Sequence, residues 1–202
     1  MSGQTRAYAT FKEHCGSEQP GVSSNDEAID WTQQETTPDQ VRIEAVLDTI
    51  ALTGAEILHV GVGNSKLAQR FAGRVRCIDG LTAHQNEKIY AEALGIPNYT
   101  VYVLNKYSWG LRSVLPHTYN YVIDNNLASF ACCKKHFFVM LENYLSVLRS
   151  QGQILTCQIG MDAYHEQLGC TMTYVDLISL ERQFPVLVSK VNDVVYALTM
   201  RP

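Results

Sequence analysis

The stretch ILHVGVGNSKLA, residues 57 to 68, decides the fold. Its apolar run breaks at Gly61 and Gly63, and apolar residues then resume at helical spacing with Leu67 and Phe71. A buried strand that turns sharply into a helix leaves backbone N–H groups pointing out of the turn, and glycines let a ligand approach that backbone closely. The stretch therefore predicts a strand, a glycine turn and a helix, with a small polar ligand above the turn.

The composition of the chain indicates a folded domain. Its 202 residues are 46% hydrophobic and 18% charged, which is typical of a single globular domain and not of a disordered chain. A net charge of −4 disfavours a nucleic-acid partner, because such proteins usually carry a basic face. No run approaches the ~18 apolar residues of a membrane span. We expect a cytoplasmic protein without a membrane or nucleic-acid partner, and the sequence leaves open whether it is a monomer or a homodimer.

The cysteine pattern gives little indication of a metal. There are six cysteines and they include no Cys-x-x-Cys pair. Adjacent Cys132 and Cys133 are poorly placed to ligate one metal together, and nearby His136 has no visible second ligand pair. We expect buried, reduced thiols and no metal site.

Apolar patterning divides the chain at about residue 37. Residues 1–36 lack periodicity for most of their length and are predicted to form an N-terminal arm or lid, while residues 37–202 form the domain. Thr37 and Pro38 begin a helix that we expect to end at Gly54. Strands and helices then alternate, which predicts a parallel sheet covered on both faces. The predicted strands cover residues 56–60, 75–79, 99–104, 119–124 and 153–159.

The C-terminal part of the chain has a different pattern. PVLVSKV and VVYALTM flank Asn192 and Asp193, which predicts two antiparallel strands joined by a tight polar turn. Before them, Thr173 with Asp176 has the spacing of a capping box at a helix start. The sheet is therefore expected to end in a hairpin.

Two cofactor classes use a glycine turn after the first strand and an acid at the end of the second strand: dinucleotides and S-adenosylmethionine. The dinucleotide fingerprint Gly-x-Gly-x-x-Gly needs its third glycine for close helix packing. Here that position is Lys66. The dinucleotide interpretation is therefore disfavoured.

From about residue 37 to residue 202 the chain resembles the class I S-adenosylmethionine-dependent methyltransferases. The resemblance rests on HVGVGNS at 59–65 for the glycine motif, on Asp79 in RCIDG for the ribose-binding acid, and on YVIDNN at 121–126 for the fourth strand. It implies an α/β fold with a Rossmann-like, doubly wound sheet of seven strands, mostly parallel, with the antiparallel hairpin at the C-terminal end. It also implies S-adenosylmethionine as the cofactor.

The resemblance implies contacts to each part of the cofactor. The glycine motif would lie beside the methionine portion, Asp79 would accept hydrogen bonds from the ribose diol, and the loop after the third strand would lie by the adenine. Oxygens after the fourth strand would hold the ammonium group. The implied cofactor-binding residues are Gly61, Gly63, Asn64, Asp79, Gly80, Asn105, Lys106 and Asp124.

The sequence departs from the family pattern at two positions of the glycine motif. His59 stands where the family usually has an acid, and Ser65 stands where it usually has a third glycine. A neutral imidazole cannot replace the charge of a carboxylate. The first departure therefore bears on how the cofactor's amino group is held.

Methyl transfer from a sulfonium needs few catalytic groups, because the methyl is already activated and the protein mainly positions the nucleophile. Asn125 and Asn126 are predicted to orient that nucleophile, and Tyr164 and His165 after the fifth strand are the predicted base or orienting groups. The favoured function is methyl transfer to a small molecule, since no basic groove or added recognition module is visible. Two alternatives stay open: release of methylthioadenosine after attack on the cofactor's carbon chain, and a non-catalytic binding protein.

Overall fold

Seven strands form one sheet in the computed structural model, which describes residues 13–18, 30–128, 131–162 and 171–202. The strand order is β3-β2-β1-β4-β5-β7-β6, parallel from β3 to β5 and antiparallel at β5–β7 and β7–β6. The predicted mostly parallel sheet with an antiparallel C-terminal hairpin is confirmed. The strands are β1 Glu56–Val60, β2 Cys77–Thr82, β3 Tyr99–Val103, β4 Tyr119–Ile123, β5 Leu148–Cys157, β6 Val186–Lys190 and β7 Val195–Met200.

Seven α-helices accompany the sheet within the described residues, and none of them is long and apolar enough to cross a membrane. Short 3₁₀ turns cover Trp31–Gln33, Ala72–Arg74 and Leu180–Arg182. The helices are α1 Pro38–Leu47, α2 Lys66–Phe71, α3 Gln85–Ala93, α4 Leu111–Val114, α5 Lys134–Val147, α6 Gln158–Met161 and α7 Tyr174–Ser179.

Capping residues predicted where helix α1 begins and ends and where helix α7 begins. Helix α1 begins at Pro38 as predicted, but it ends at Leu47 and not at the expected glycine. The Thr49 hydroxyl donates to the Val46 carbonyl at 2.8 Å, a local bond that competes with further helix. Helix α7 begins with the predicted capping box, in which Thr173 and Asp176 each bond to the other's backbone.

Alternate residues of β1 face two separate apolar layers. Leu58 and Val60 belong to a core that includes Phe137 and Tyr144 of α5. Ile57 belongs to a second core with residues of α1 and α2. Every residue of β1 is buried, as expected for a central parallel strand covered on both faces.

Strand β2 continues beyond its predicted end. Gly80 lies inside the strand, at a point where two valines leave no space for a side chain. A Cβ atom there would come within 2.6 Å of Val62 Cγ1 and 2.9 Å of Val101 Cγ2. The strand runs on to Thr82 because residues 80–82 pair with residues 101–103 of β3, so Asp79 is its third residue, not its last.

Candidate functional site

The glycine turn lies at the carboxyl end of β1 and leads into α2. Gly61 has a φ of 78°, and a side chain there would meet no described atom within 4 Å, so the backbone is open at this point. Ser65, where the family has a glycine, also has a positive φ, of 56°, which costs an L residue roughly 1–2 kcal/mol. Its hydroxyl lies 3.1 Å from the Tyr99 hydroxyl. The serine thus keeps the turn conformation and adds a bond to β3.

A buried carboxylate that the sequence analysis missed closes the other side of this turn. Glu87, in the first turn of α3, accepts hydrogen bonds at Oε2 from the Gly63 backbone N–H at 3.2 Å and from Thr82 Oγ1 at 2.6 Å. Thr82 is the last residue of β2. Glu87 therefore places a carboxylate between the glycine turn and the carboxyl end of β2. An acid in the first turn of the helix that follows this strand could have indicated it.

Asp79, the predicted ribose ligand, lies deeper in the sheet. Its carboxylate accepts a hydrogen bond from the Tyr119 hydroxyl at 2.6 Å, and only 2% of the residue is exposed. Burial raises the pKa of the Asp79 carboxyl, while the Tyr119 bond and nearby His117 act in the opposite direction. The predicted strand-end position is thus corrected, and the ribose contact of Asp79 stays a prediction. Gly80, the next predicted contact, is packed against Val62.

At the end of β4, the predicted ammonium site holds an ammonium group of the chain itself. Lys106 Nζ lies 3.1 and 2.9 Å from the two carboxylate oxygens of Asp124, which is fully buried. It also lies 3.3–3.5 Å from the backbone and side-chain oxygens of Asn126 and the carbonyl of Leu127. Tyr144 donates a further bond to Asp124 at 2.9 Å. The oxygens after β4 therefore form a site suited to an amino cation.

Lys106 reaches this site from the loop after β3. Because β2 and β1 lie between β3 and β4 in the sheet, the loop bridges the carboxyl ends of the strands that carry the glycine turn. Open α/β sheets bind their ligands at this edge. The Lys106–Asp124 pair therefore lies where the resemblance implies the cofactor.

Two of the predicted asparagines contact the protein itself. Asn125 donates from Nδ2 to Asp39 at 2.6 Å, at the start of α1. Asn105 accepts a bond from the Tyr107 backbone N–H at 2.9 Å, which organises its own loop. These bonds place Asn125 toward α1, and the catalytic role of Asn125 and the adenine contact of Asn105 stay predictions.

The last residues of the predicted arm lie over the glycine turn. Asn64 donates to the Gln34 carbonyl at 2.8 Å and lies 3.4 Å from Thr36 Oγ1. A side chain at Gly63 would come within 3.6 Å of Trp31 Cβ. Residues 31–36 therefore lie against the turn. The division into an arm over 1–36 and a domain over 37–202 stays a prediction.

His59 is buried directly before the glycine turn. The residue is 0% exposed, and neither ring nitrogen hydrogen bonds to any described residue. Burial lowers the pKa of His59 to about 4, so the ring is neutral at pH 7. The family's carboxylate is thus replaced by an uncharged group.

The predicted catalytic residues after the fifth strand, Tyr164 and His165, lie outside the described residues, and their roles stay predictions. Asp162, which closes α6, accepts a bond from Gln158 at 2.8 Å. Asn126 is the one predicted catalytic residue that the described structure brings beside Asp124 and Lys106.

Solved structures share this architecture. The chain is similar to an rRNA methylase from Streptococcus thermophilus, with 13% identity, a TM-score of 0.56, and coverage of 84% of this chain and 100% of that one. It is also similar to the N-methyltransferase NodS from Bradyrhizobium japonicum WM9 in complex with S-adenosyl-L-homocysteine, with 7% identity, a TM-score of 0.61, and coverage of 90% and 95%. The chain has the fold of the class I S-adenosylmethionine-dependent methyltransferases.

At these identities the likeness establishes the methyltransferase fold alone. The fold also occurs in the cyclase SpnF, which is 18% identical, with a TM-score of 0.56 and coverage of 75% of this chain and 58% of that one. No protein-family model and no curated protein matches the sequence. The activity therefore has to be argued from the site.

Proposed function

We propose that this protein is an S-adenosylmethionine-dependent methyltransferase that acts on a small molecule. The observation that carries the proposal is the glycine turn, open at Gly61 and bordered by the Glu87 carboxylate, at the carboxyl end of the central strands. When bound, S-adenosylmethionine supplies an activated methyl group. The protein then has to hold the cofactor, position the acceptor and exclude water.

The chemistry of the site fits the groups of the cofactor. The open backbone at Gly61 suits a chain that lies close to the turn, and Glu87 offers acceptor oxygens to ribose hydroxyls. The oxygens of Asp124, Asn126 and Leu127 suit the cofactor's ammonium, since they already contact the ammonium of Lys106. We expect Lys106 to give up these bonds when the cofactor enters.

The acceptor is proposed to be small because the chain has a net charge of −4 and no basic face is evident from the sequence. Asn126, beside Asp124, is proposed to orient the nucleophile. Tyr164 and His165 remain the proposed base or orienting groups. A cytoplasmic location and the absence of nucleic-acid and membrane partners are part of the same proposal.

His59 favours one alternative use of the same cofactor. A neutral ring in place of the family's carboxylate offers no negative charge to pair with the cofactor's ammonium group. If that amine, or another nucleophile, attacks the carbon next to sulfur, the carbon–sulfur bond breaks and methylthioadenosine leaves with the bonding electron pair. Such an enzyme would consume S-adenosylmethionine as its substrate.

Calorimetric titration with S-adenosylmethionine tests the proposal. Gly61→Ala should weaken binding at least about tenfold, because a methyl group would fill the space above the turn. Gly54→Ala is the matched control: its φ of 77° is close to that of Gly61, and it also faces open space, but it lies before β1 and away from the site. It should lose similar stability and keep its affinity.

The recovered ligand then separates the alternatives. After long incubation without an acceptor, mass spectrometry should find the cofactor intact if the protein is a methyltransferase. Methylthioadenosine above the level of a no-protein control would identify the alternative enzyme. Failure of the wild-type chain to bind S-adenosylmethionine would overturn both.

A further inference from the structure

Three cysteine sulfurs surround one ring nitrogen of a buried histidine, His136, in the first turn of α5. His136 Nδ1 lies 3.4 Å from Cys15 Sγ, 3.1 Å from Cys132 Sγ and 3.3 Å from Cys133 Sγ. All four atoms lie within 4.8 Å of one another. Cys15 is 121 positions away from His136 in the sequence, so the fold brings the group together.

Hydrogen bonding alone does not account for this arrangement. A neutral imidazole nitrogen carries either one proton or one lone pair, so Nδ1 forms one good hydrogen bond and not three. In a tetrahedral zinc site the Zn–S and Zn–N bonds of about 2.3 and 2.0 Å place the ligand atoms roughly 3.5–3.8 Å apart. The three observed S–N distances, 3.1–3.4 Å, are slightly shorter than this, and all four atoms lie within 4.8 Å of one another, so a small outward shift of the ligands would accommodate the ion. We propose that Cys15, Cys132, Cys133 and His136 bind one Zn²⁺ ion.

The surroundings of the four ligands support a metal. His136 Nε2, the other ring nitrogen, lies 3.4 Å from the Glu18 carbonyl, and metal-binding histidines commonly donate their second N–H to such a group. Cys133 caps the N-terminus of α5, whose partial positive charge favours thiolates. Lys135, beside His136 in the sequence, pairs with the Glu18 carboxylate at 3.1 Å and so holds the segment that carries Cys15 against the start of α5.

The ligand set indicates zinc in a structural role. Three thiolates and one imidazole form a Cys₃His set, which fills all four positions of a tetrahedral ion and leaves none for a substrate. The site would fasten residues 13–18 to the start of α5. Trp109, in the loop before α4, adds a second attachment of this segment by donating from its ring nitrogen to the Glu18 carbonyl at 3.1 Å.

A second group of potential ligands, Glu56, Cys77 and His117, carries no such proposal. The Glu56 carboxylate already pairs with Arg149 and with Arg76. Two guanidinium groups neutralise that carboxylate and repel a cation. The sulfurs of the Cys₃His group differ, because they contact the His136 ring, one another and, for Cys15, the Ser17 carbonyl, and have no guanidinium partner among the described residues.

The earlier expectation of no metal site rested on spacing within one segment. Adjacent Cys132 and Cys133 were judged poorly placed to ligate one metal together, no second ligand pair was visible near His136, and Cys15 stood in a segment without periodicity. The structure supplies Cys15 as the additional ligand and His136 from the first turn of α5. No spacing motif covers ligands this far apart.

Metal analysis of the full-length, untagged and reduced chain tests the proposal. After loading with Zn²⁺ and dialysis, the wild type should retain about one zinc per chain. Cys15→Ser and His136→Asn should each retain less than about a tenth of that, whereas Cys77→Ser, a cysteine outside the group, should match the wild type. Loading with Co²⁺ should give the intense absorption of thiolate-bound tetrahedral cobalt in the wild type and in Cys77→Ser, but not in Cys15→Ser or His136→Asn.

Cys15→Ser keeps the test independent of folding, because Cys15 is exposed and outside the sheet and its helices. Its circular dichroism should match that of the wild type while zinc is lost. The proposal fails if the reduced wild type retains no zinc and gives no cobalt absorption. It also fails if Cys15→Ser binds as much zinc as the wild type.

Discussion

Lys106 places its ammonium nitrogen 2.9 Å and 3.1 Å from the two carboxylate oxygens of Asp124, in a site where both side chains are almost wholly shielded from water. A buried ion pair becomes costly when one partner is removed, because the other is left as an unpaired buried charge. Lys106→Met should therefore destabilise the fold by about 3–5 kcal/mol at pH 7. Urea denaturation measures this change.

Two controls accompany this prediction. The double variant Lys106→Met with Asp124→Asn removes both charges and should recover most of the loss. Lys88→Met breaks the partly exposed pair with Glu92 and should cost no more than about 1 kcal/mol. If Lys106→Met were as mild as Lys88→Met, the pair would not be the buried, mutually dependent contact that the structure describes.

The two carboxylates near β2 should differ in their effect on cofactor binding. Glu87→Gln should weaken S-adenosylmethionine binding by about 10- to 100-fold, the equivalent of one charge-assisted hydrogen bond. Asp79→Asn should lower the free energy of unfolding through its bond with Tyr119. Because Glu87 is the proposed ribose ligand, Asp79→Asn should keep affinity within about twofold, and that result would overturn the ribose contact that the resemblance implies for Asp79. Calorimetry on both variants measures their affinity for S-adenosylmethionine, and urea denaturation measures their free energy of unfolding. The reverse pattern would favour Asp79 as the ribose ligand.

His59 predicts an acid-sensitive fold. The pKa of this histidine is about 4 in the folded state and about 6.5 in the unfolded chain, so between these values only the unfolded chain takes up the proton. The contribution of His59 to the free energy of unfolding is therefore complete above pH 6.5. It decreases as the pH drops, by about 3 kcal/mol at pH 4.

A variant isolates this contribution. His59→Leu cannot be protonated, so its free energy of unfolding should decrease less than that of the wild type between pH 7 and pH 4.5. Urea denaturation at several pH values measures the two slopes. Parallel profiles for wild type and variant would show that His59 does not titrate differently in the two states.

Gly80 should tolerate no side chain. An alanine Cβ would come within 2.6 Å of Val62 and 2.9 Å of Val101, and overpacking of this kind costs about 1–3 kcal/mol. Gly73→Ala is the control, since a Cβ there meets no described atom within 4 Å and should change stability by less than about 1 kcal/mol. Thermal unfolding compares them. Equal melting temperatures would mean that β2 and the glycine turn can move apart.

Local sequence patterns predicted the elements because their causes are local. The strand and turn around Gly61 follow from an apolar run and from backbone conformation. The hairpin follows from Asn192, whose side-chain oxygen accepts bonds from the N–H groups of Val194 and Val195 at 3.0 and 2.8 Å. Such causes lie within a few residues and can be recognised without the fold.

The site was less predictable because its contacts join distant segments. Lys106 and Asp124 were each named as cofactor contacts, but nothing in the sequence indicated that they pair with each other. Glu87 was missed because it acts on the backbone of Gly63, 24 positions earlier. The end of β2 was misplaced because its last three residues are held by pairing with β3, which is a contact between elements.

The chain has two tryptophans, one beside the glycine turn and one beside the proposed zinc ligands. Trp31 is next to Gly63 in the turn, and Trp109 is hydrogen bonded to Glu18 beside the cysteine and histidine group. Both are partly exposed, so their fluorescence should respond to what binds nearby. Replacing either by phenylalanine would leave a single tryptophan, and with selective excitation of tryptophan the two variants could report separately on the glycine turn and on the attachment of the N-terminal segment, without any attached dye.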